Sequence, residues 1–330
     1  MKKILIIGGE GYIGQELNIY LQSMKNKYKI VVVDNLIYRQ KPLNKNKDYN
    51  NYEFINYDLK NTKKNNKILD DVYCVVILSG LVGDPITKKY PILSKNINEK
   101  LIKKIINQSF QKKIPKLIFV STCSNYGLRD IGSKAKETSV LKPLSLYAKS
   151  KVSLEKFILS KKQQSITVPT ILRFATAFGL SKRMRFDLTI NEFTKDIFLK
   201  NKLDVYDIDT WRPYCHIKDF SRLILKVINS EKSKVNFQVF NAGSTSNNFT
   251  KKMIIQRILK YIKSDKIKYL EKGKDRRNYR VDFTKVNKKL GFKAKYSIDY
   301  GIKEIINWLK KNKNIKFNKL GNYSLNVIDK

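Results

Sequence analysis

A glycine-rich turn near the start of the chain constrains the fold more than any other feature of the sequence. The apolar run Lys3–Ile7 leads into Gly8, Gly11 and Gly14, which have the spacing G-x-x-G-x-x-G, and an amphipathic stretch follows them. Glycines so placed permit a tight turn, let the backbone approach a pyrophosphate and let the next helix pack closely on the strand. The N-terminus of that helix then faces the phosphates. The pattern therefore predicts a dinucleotide-binding β–α unit rather than a glycine turn of purely structural use.

An acidic residue stands where the second strand of such a unit would end. The apolar run Ile30–Val33 is followed by Asp34, which lies 20 residues beyond Gly14. A carboxylate at this distance hydrogen-bonds the ribose hydroxyls of the adenosine half, and it would repel a 2′-phosphate. The nearest arginine downstream is Arg39, so NAD is favoured over NADP. For Asp58, after the next strand-like run, two roles stay open: a contact for the adenine amino group or a helix N-cap.

Short apolar runs alternate with helix-length segments along the chain. The further strand-like runs are Tyr52–Ile55, Tyr73–Leu78, Lys116–Val120 and Thr167–Leu172, and clear helical patterns cover residues 92–110, 146–161, 250–263 and 298–310. Such alternation predicts βαβ units and a parallel sheet buried on both faces, hence the α/β class. The polar stretch 44–51 is predicted to be a loop, and the Lys- and Asn-rich stretch 311–322 a solvated connection or tail.

The formal net charge of +40 suggests an anionic partner at first sight. Yet 57 of the 68 basic residues are Lys and only 11 are Arg, and the lysines are spread over the whole chain together with 30 Asn. Proteins that read nucleic acids favour the bidentate guanidinium of Arg. A compositional drift toward Lys and Asn explains the charge better, so we expect a solvated basic surface and no nucleic-acid partner.

Cysteine and histidine are too few for a disulfide framework or a metal site. Cys74, Cys123, Cys215 and the single His216 cannot form a tetrahedral zinc site without added carboxylates, so no metal is expected. No apolar run approaches the roughly 20 residues of a membrane span. The N-terminal apolar run is also too short for the core of a signal peptide. A cytoplasmic protein without a membrane partner is therefore expected.

A tyrosine and a lysine with the spacing Y-x-x-x-K point to proton and hydride chemistry. Tyr147 and Lys151 lie on a predicted helix, where a separation of four residues puts both side chains on one face. The ammonium group can lower the pKa of the phenol, and the tyrosinate can take the proton of a sugar hydroxyl as a hydride leaves the carbon. Upstream, Val120 ends a strand-like run and Ser121–Gly127 follow it, so that a hydroxyl at this strand end can hydrogen-bond the reacting oxygen beside the tyrosine. The glycine turn, the hydroxyl at the strand end and the Y-x-x-x-K pair together are specific for this chemistry, although a Y-x-x-x-K pair alone is not.

With these motifs the chain resembles the extended short-chain dehydrogenase/reductases that act on nucleotide sugars. The resemblance covers nearly the whole chain and continues through Leu172–Gly179, Arg212–Asp219 and Asp282–Lys285. It implies a Rossmann-type doubly wound parallel sheet that binds NAD, and a smaller, discontinuous C-terminal domain that binds a nucleotide-diphospho-sugar. A homodimer formed through the helices around Tyr147 is also implied.

The implied domains divide the chain at several points. Residues 1–175 together with about 212–240 would form the NAD-binding domain, and residues 176–211 and 241–330 the nucleotide-sugar-binding domain. The segment near 212–240 is expected to return to the Rossmann layer, which makes the second domain discontinuous.

The resemblance also assigns site residues. Its catalytic set is Thr122, Tyr147 and Lys151. The residues it places against the cofactor are Gly8, Gly11, Tyr12, Ile13, Gly14, Asp34, Asn35, Asp58, Leu59, Leu78, Ser79, Gly80, Asn96, Tyr147 and Lys151. The residues it places against the substrate are Val82, Ser124, Thr176, Arg185, Asn191, Arg212 and Arg277, with Arg276 and Arg280 as alternatives to Arg277. In this set Arg212 would bind the diphosphate.

Within this family the likeness is closest to a branch that includes GDP-heptose 4-dehydrogenases, through Val82–Pro85 and Ser181–Leu188. UDP-galactose 4-epimerase is a more distant match, and Thr176 stands where that enzyme carries an Asn, so its substrate contacts cannot be carried over to this chain. The 4,6-dehydratases place Asp-Glu directly after the catalytic threonine, where this chain has Cys123 and Ser124. Dehydration is therefore disfavoured.

We expect NAD-dependent oxidation of a ring hydroxyl, with C4 favoured, by a nucleotide-sugar 4-epimerase or 4-dehydrogenase of glycan precursor synthesis. Return of the hydride to the opposite face of the sugar gives an epimerase, and release of the keto sugar gives a dehydrogenase; the sequence leaves both open. The alternatives are a 4-ketoreductase, a 4,6-dehydratase, and a non-enzymatic NAD-bound protein that regulates or binds nucleic acid. His216 is expected to order the local backbone, and Cys123 to pack behind the cofactor.

Overall fold

The computed structural model describes residues 1–24, 27–43, 51–61, 65–130, 132–271, 273, 277–312 and 314–326. The strands are β1 (Lys2–Ile7), β2 (Tyr28–Asp34), β3 (Tyr52–Asn56), β4 (Val72–Ile77), β5 (Lys116–Thr122), β6 (Lys134–Ala135), β7 (Val168–Phe174), β8 (Thr176–Phe178), β9 (Leu203–Tyr206), β10 (Trp211–His216), β11 (Gln238–Ala242), β12 (Asn248–Thr250), β13 (Ile267–Leu270) and β14 (Arg280–Val281). The helices are α1 (Tyr12–Gln22), α2 (Asn65–Ile68), α3 (Asp84–Lys89), α4 (Pro91–Lys95), α5 (Ile102–Gln111), α6 (Leu146–Leu159), α7 (Thr189–Phe198), α8 (Ile217–Asn229), α9 (Lys232–Val235), α10 (Lys251–Leu259), α11 (Thr284–Leu290) and α12 (Ile298–Lys311). Most of the predicted loop 44–51, and Arg276, lie outside the described residues.

Seven strands form one parallel sheet in the order β3-β2-β1-β4-β5-β7-β11. The chain adds β2 and β3 on one side of β1 and the remaining strands on the other, so the strand order reverses between β1 and β4. This is the doubly wound arrangement of a Rossmann-type sheet, in which ligands bind beyond the carboxyl ends of the strands near the reversal point. The predicted fold class is confirmed.

The central strands are apolar along their whole length because both faces of the sheet are covered. Alternate side chains of a strand point to opposite faces. In β1, Ile4 and Ile6 belong to the core on one side, and Leu5 and Ile7 to the core on the other. Helices α1 and α8 pack on the first side, and α5 and α6 on the second. This double covering explains why continuous apolar runs, rather than alternating ones, predicted the strands.

The helical pattern at 92–110 is not one regular helix. Between α4 and α5 the residues Asn96–Leu101 form a π-helical turn, which holds more residues per turn than an α-helix. This turn directs the buried Asn98 toward the loop after β4, where its Oδ1 accepts a hydrogen bond from Leu81 N at 2.7 Å and its Nδ2 donates to Leu81 O at 3.0 Å. Two backbone groups that no strand can pair are satisfied in this way.

A smaller unit packs beyond the carboxyl ends of the large sheet. It contains the sheet β12-β10-β8, the strand pair β9-β13, and a core formed by α7, α10 and α12. Within residues 212–240, β10 lies in this smaller sheet, whereas α8 covers the large sheet. The next strand, β11, pairs with β7 at the edge of the large sheet. None of the helices in the described part of the chain is long and apolar enough to cross a membrane.

The last described residues, Phe317–Asn326, form a strap that turns back over the dinucleotide-binding half. Leu325 is buried beside Leu81 and Ile86. Asn326 N donates a hydrogen bond to Ile37 O at 2.6 Å. The expectation of a solvated connection or tail over residues 311–322 is wrong for its last residues, because Leu320 packs against the core, its carbonyl oxygen accepts a hydrogen bond from Phe186 N at 2.8 Å, and Asn322 is buried.

Candidate active site

A cavity of 740 Å³ lies at the carboxyl ends of the large sheet, between this sheet and the smaller unit. Cavities of about 300–1,000 Å³ are typical of small-molecule and cofactor sites. The predicted residues that line it are Gly8, Gly11, Tyr12, Ile13, Gly14, Asp34, Asn35, Asp58, Leu59, Leu78, Ser79, Gly80, Val82, Thr122, Ser124, Tyr147, Lys151, Thr176, Arg185, Arg212 and Arg277. Asn96 and Asn191 are not among the lining residues.

The glycine turn fits a dinucleotide. Gly8 has φ +78°, and a Cβ on it would lie 2.5 Å from the Cα of Ser79, while a Cβ on Gly14 would lie 2.4 Å from the carbonyl oxygen of Gly9. Only glycine allows this close packing of strand, turn and helix. Gly11 caps α1 without a side-chain hydrogen bond, so the first turn of the helix presents its backbone N–H groups to the cavity. Such an end suits a pyrophosphate.

Asp34 ends β2 at the wall of the same cavity. Its carboxylate accepts hydrogen bonds from Glu10 N at 3.0 Å and from Leu36 N at 2.9 Å, which orient it. Burial raises the pKa of Asp34 above its usual range. Nearby, Asp58 accepts hydrogen bonds from Asn35 Nδ2 at 3.2 Å and from Lys60 N at 2.9 Å. The bond from Lys60 N is the kind that caps a turn, and the position on the cavity wall also suits the adenine role, so both predicted roles of Asp58 stay open.

The asparagine that hydrogen-bonds the loop on the cofactor side of the cavity is Asn98 and not the predicted Asn96, and neither of the two lines the cavity. Asn96 begins the π-helical turn and does not line the cavity. Asn98, two residues on, grips Leu81, and its Oδ1 would lie 3.0 Å from a Cβ on Gly80. It therefore shapes the loop Leu78–Leu81 that lines the cofactor side. The extra residue of a π-helical turn changes which side chain faces the loop, and no sequence pattern showed this.

Thr122, Tyr147 and Lys151 all line the cavity. Ser145 caps α6 by accepting a hydrogen bond from Ala148 N at 3.2 Å, so Tyr147 lies in the first turn, where the helix dipole favours a negative side chain. Lys151 lies one turn further on. Its Nζ is 5.7 Å from the centre of the Tyr147 ring and donates to the carbonyl oxygen of Val120 at 2.8 Å.

Thr122 presents its hydroxyl at the end of β5. Its Oγ1 accepts a hydrogen bond from Ser124 N at 3.0 Å, which fixes the side chain and leaves the hydroxyl proton to be donated into the cavity. Burial raises the pKa of Tyr147 far above its usual value, and lowers the pKa of Lys151 to about 8 despite the opposing effect of Glu155. The shift of the Lys151 pKa toward neutral pH is typical of a group at a functional site. The raised pKa of Tyr147 favours the protonated phenol, so positive charge beside the ring is needed to form the tyrosinate.

A buried charge network supports this set from behind. Glu155, one turn after Lys151, forms an ion pair with Arg173 in which Oε2 and Nη2 are 2.7 Å apart. It also accepts hydrogen bonds from Ser121 Oγ at 2.5 Å and Asn125 Nδ2 at 2.9 Å. The network ties helix α6 to the end of β5 and thereby fixes the distance between the helix that carries Tyr147 and the strand that carries Thr122. No motif in the sequence indicated it.

The opposite wall carries the predicted substrate residues. Ser124 Oγ accepts hydrogen bonds from Arg277 Nη1 at 3.2 Å and from Tyr279 OH at 3.4 Å. Arg277 Nη2 also lies 3.2 Å from Oδ2 of Asp84, the first residue of α3. Arg212 stacks on the ring of Tyr279, with its guanidinium carbon 5.3 Å from the ring centre. Two arginines thus lie at one end of the cavity, where they suit an anionic group.

Asn191 and Arg185 belong to one buried cluster. Arg185 pairs with Asp187, with Nη2 and Oδ2 2.5 Å apart, and faces the cavity. Asn191 lies behind that wall, where its Oδ1 accepts from Gly179 N at 3.1 Å and its Nδ2 donates to Tyr12 OH at 3.0 Å. The structure therefore places Asn191 where it braces the segment after β8 against α1, and not on the cavity surface.

His216 and Cys123 lie outside the cavity lining. Nε2 of the fully buried His216 is 2.6 Å from Glu304 Oε1, and its Nδ1 accepts from Lys218 N at 3.2 Å, so the ring caps α8. The Cys123 thiol donates to the carbonyl oxygen of Arg173 at 3.2 Å, and burial raises its pKa strongly. These contacts suit the ordering and packing roles expected for the two residues.

Several residues of the cavity wall were missed by sequence reasoning. They are Tyr38, Gln40, Asp84, Arg183, Glu192, Tyr279, Asn322 and Tyr323. Arg183 had one signal, since 8 of the 11 arginines lie between positions 173 and 277. Asn322 and Tyr323 had none, because nothing local in a Lys- and Asn-rich segment shows that it returns to the sheet.

The class of protein follows from the fold and the cavity together. The doubly wound sheet carries an open glycine turn and an acid after β2, and the same cavity holds a Thr, a Tyr and a Lys. These features define a dinucleotide-dependent enzyme that oxidises or reduces a hydroxyl or keto group. The chain belongs to the NAD dependent epimerase/dehydratase family, whose sequence model matches residues 4–243. The predicted family, and NAD as its cofactor, are thereby confirmed.

Individual relatives extend over nearly the full chain. It is 30% identical over 325 residues to an uncharacterized protein of Methanocaldococcus jannaschii, and the aligned region covers 94% of this chain and 97% of the relative. It is 25% identical over 321 residues to UDP-glucuronate 4-epimerase of Thermodesulfobacterium geofontis, covering 93% and 96%. Among solved structures, UDP-glucose 4-epimerase of Thermotoga maritima with UDP-glucose has the same fold, with a TM-score of 0.83, 24% identity and coverage of 94% and 100%.

Proposed function

We propose that the enzyme is a 4-epimerase of a nucleotide-diphospho-sugar. The observation that carries the proposal is the position of Thr122, Tyr147 and Lys151 in the same cavity as the dinucleotide turn. The relative from Thermodesulfobacterium geofontis, a UDP-glucuronate 4-epimerase, supports this reaction type. NAD, when bound, accepts a hydride from the sugar carbon and returns it.

Tyr147 takes the proton of the ring hydroxyl in this mechanism. Its place in the first turn of α6 favours the tyrosinate through the helix dipole, and the Lys151 ammonium adds a positive charge beside the ring. Thr122 donates a hydrogen bond to the same oxygen while its own lone pair holds Ser124 N. When the keto sugar has rotated in the site so that its opposite face receives the hydride, Tyr147 returns the proton to the oxygen. General acid–base catalysis of this kind contributes about 10²- to 10⁴-fold.

The residues after Thr122 favour epimerisation over dehydration. Elimination of water needs an acid and a base beside the sugar, and the two positions after Thr122 hold a buried Cys123 and Ser124. Ser124 Oγ is engaged with Arg277 and Tyr279. It can accept or donate a hydrogen bond to a sugar hydroxyl, but at neutral pH it is not an acid.

We propose that Arg212 and Arg277 bind the diphosphate of the substrate. Arg212 is fixed by donating a hydrogen bond to Trp211 O at 2.8 Å, and Arg277 by its pairing with Asp84. A diphosphate offers stronger charge-assisted hydrogen bonds than a single carboxylate, so Arg277 can exchange Asp84 for the substrate. Thr176 and Arg185 line the sugar side of the same cavity.

The domain division, the homodimer and the absence of a nucleic-acid partner belong to this proposal. The cavity lies where the smaller unit meets the large sheet, which supports a two-domain division near the predicted limits. Exposed apolar side chains on and beside α6, namely Leu144, Leu146 and Leu159, support pairing of two copies through this helix.

The test is product analysis with a panel of UDP-, GDP-, dTDP- and CDP-sugars, a GDP-heptose among them because Val82–Pro85 and Ser181–Leu188 adjoin or line the cavity. Mass spectrometry and the absorbance of reduced NAD are recorded together. An isomer of unchanged mass without net NADH supports the epimerase. Loss of two hydrogens with NADH indicates the 4-dehydrogenase instead, and loss of water overturns the argument from Cys123 and Ser124.

A matched pair of variants separates chemistry from folding. Tyr147→Phe is expected to lower kcat by at least roughly a hundredfold while NAD stays bound. Tyr269→Phe removes a hydroxyl from an exposed tyrosine outside the cavity and is expected to leave kcat unchanged. Full turnover of Tyr147→Phe with the true substrate would refute the assignment.

A further inference from the structure

Arg183 is a buried cation in the cavity wall that has only neutral partners. It is 8% exposed, and its Nη2 donates to Asn322 Oδ1 at 2.6 Å and to Gly321 O at 3.3 Å. Its guanidinium carbon lies 5.0 Å from the centre of the Tyr38 ring. Among the residues that the structure describes, no carboxylate forms an ion pair with it, whereas the neighbouring Arg185 is paired with Asp187.

An unpaired buried charge of this kind costs stability unless a ligand neutralises it. Burial and the adjacent Arg185 lower the pKa of Arg183 to about 10, so the guanidinium is still charged at neutral pH. The side chain lines the cavity, so a bound anion can reach it. The missing counter-charge therefore points to an anionic group of a ligand.

The surroundings of Arg183 identify which ligand group lies there. Two residues earlier, Ser181 Oγ donates to Tyr12 O at 2.9 Å, which places this segment against the first turn of α1. On its other side Arg183 contacts Tyr38, four residues after Asp34 at the end of β2. The guanidinium is thus held between the N-terminus of α1 and the ribose-binding acid, and the diphosphate of a dinucleotide lies between these two points.

We propose that Arg183 binds the diphosphate of NAD and that the C-terminal strap, Phe317–Asn326, holds it there. The inference rests on the NAD site and not on which sugar reacts. Asn322 accepts from Arg183 and donates through Nδ2 to Val82 O at 2.8 Å, so one side chain joins the arginine to the loop after β4. Asn326 anchors the far end of the strap at Ile37.

Calorimetric titration of protein freed of nucleotide tests the proposal, with NAD, ADP-ribose, adenosine and UDP as probes. Arg183→Met removes the charge and keeps much of the side-chain volume. We expect the Kd of NAD and of ADP-ribose to rise by the same factor, roughly ten- to a hundredfold, because a charge-assisted hydrogen bond to phosphate is lost. Adenosine, which has no phosphate, should bind unchanged. Arg183→Lys should restore part of the affinity.

The matched control is Arg39→Met. Arg39 Nε donates to Asn326 Oδ1 at 3.1 Å, so this variant also loses an arginine contact to the strap, but Arg39 does not line the cavity. It should keep the affinity for NAD and ADP-ribose within about twofold. Without nucleotide, Arg183→Met should melt no lower than the parent protein, because an unpaired buried charge has been removed.

Two results overturn the proposal. If Arg183→Met binds ADP-ribose as tightly as the parent, Arg183 does not contact the dinucleotide diphosphate. If only UDP binding weakens, the arginine belongs to the substrate diphosphate instead. Failure of every sugar in the panel to react would count against the proposed 4-epimerase, yet it would leave this binding test unaffected, so the two proposals fail separately.

Discussion

Replacing Glu155 by Gln is expected to destabilise the protein by about 3–5 kcal/mol, the cost of breaking a buried ion pair from one side. Both partners are buried, with side-chain exposures of 5% for Arg173 and 2% for Glu155. The amide oxygen can take over the hydrogen bonds from Ser121 and Asn125, but the amide NH₂ then faces the Arg173 guanidinium as a second donor. We therefore expect a loss near the lower end, about 3 kcal/mol.

Urea denaturation measures this loss. Both proteins are saturated with NAD, because a ligand that binds the native state adds to the free energy of unfolding. With a slope of about 3 kcal/mol per molar urea, the midpoint of Glu155→Gln should fall by about 1 M. Turnover should fall as well, because the network fixes α6 relative to β5.

The control for this prediction is Glu53→Gln. Glu53 pairs with Lys29 at 3.6 Å on the surface, where the two side chains are 50% and 51% exposed, so the same substitution should cost at most about 1 kcal/mol. A double variant, Glu155→Leu with Arg173→Met, removes both charges and should recover much of the lost stability. A Glu155→Gln variant as stable as Glu53→Gln would show that the reasoning about the buried pair is wrong.

Three further outcomes follow from the site. The kcat should fall as the pH rises through about 8. Burial lowers the pKa of Lys151 to about 8, and the Lys151 ammonium, which supports the tyrosinate, is present only below that pH. A kcat profile that stays flat to pH 9 would contradict this. Gly14→Ala places a Cβ 2.4 Å from Gly9 O and should lose about 3 kcal/mol of stability together with its bound NAD. The control Gly132→Ala places a Cβ with no atom within 4 Å and should lose neither. Thermal unfolding and nucleotide-binding assays of both variants measure this. Asp34→Asn should bind NAD about tenfold more weakly and discriminate less against NADP, which titration of both nucleotides measures; an unchanged preference would remove Asp34 from the ribose site.

The sequence was most informative where the residues of a functional motif are close together in the chain. The glycine turn, Asp34 after β2, and the pair Tyr147 and Lys151 lie in segments whose spacing alone predicts where they point. Each depends on one turn, one strand end or one helix, so the local backbone determines its geometry. The apolar runs predicted six of the seven strands of the large sheet for the same reason, since strands covered on both faces need no polar alternation. The seventh strand, β11, had no such run among the predicted ones.

The sequence was least informative where a contact joins distant parts of the chain. Arg183 and Asn322 are 139 residues apart and meet only because the C-terminal strap turns back over the cavity. The hydrogen bonds from Asn98, rather than Asn96, to Leu81 depended on a π-helical turn that no periodicity showed. Motifs, their spacing and the family resemblance therefore predicted the fold, the cofactor and the proposed reacting set. The partners of buried charges were decided by the path of the whole chain, because a charge in a low-dielectric interior is paired with whatever that path brings beside it.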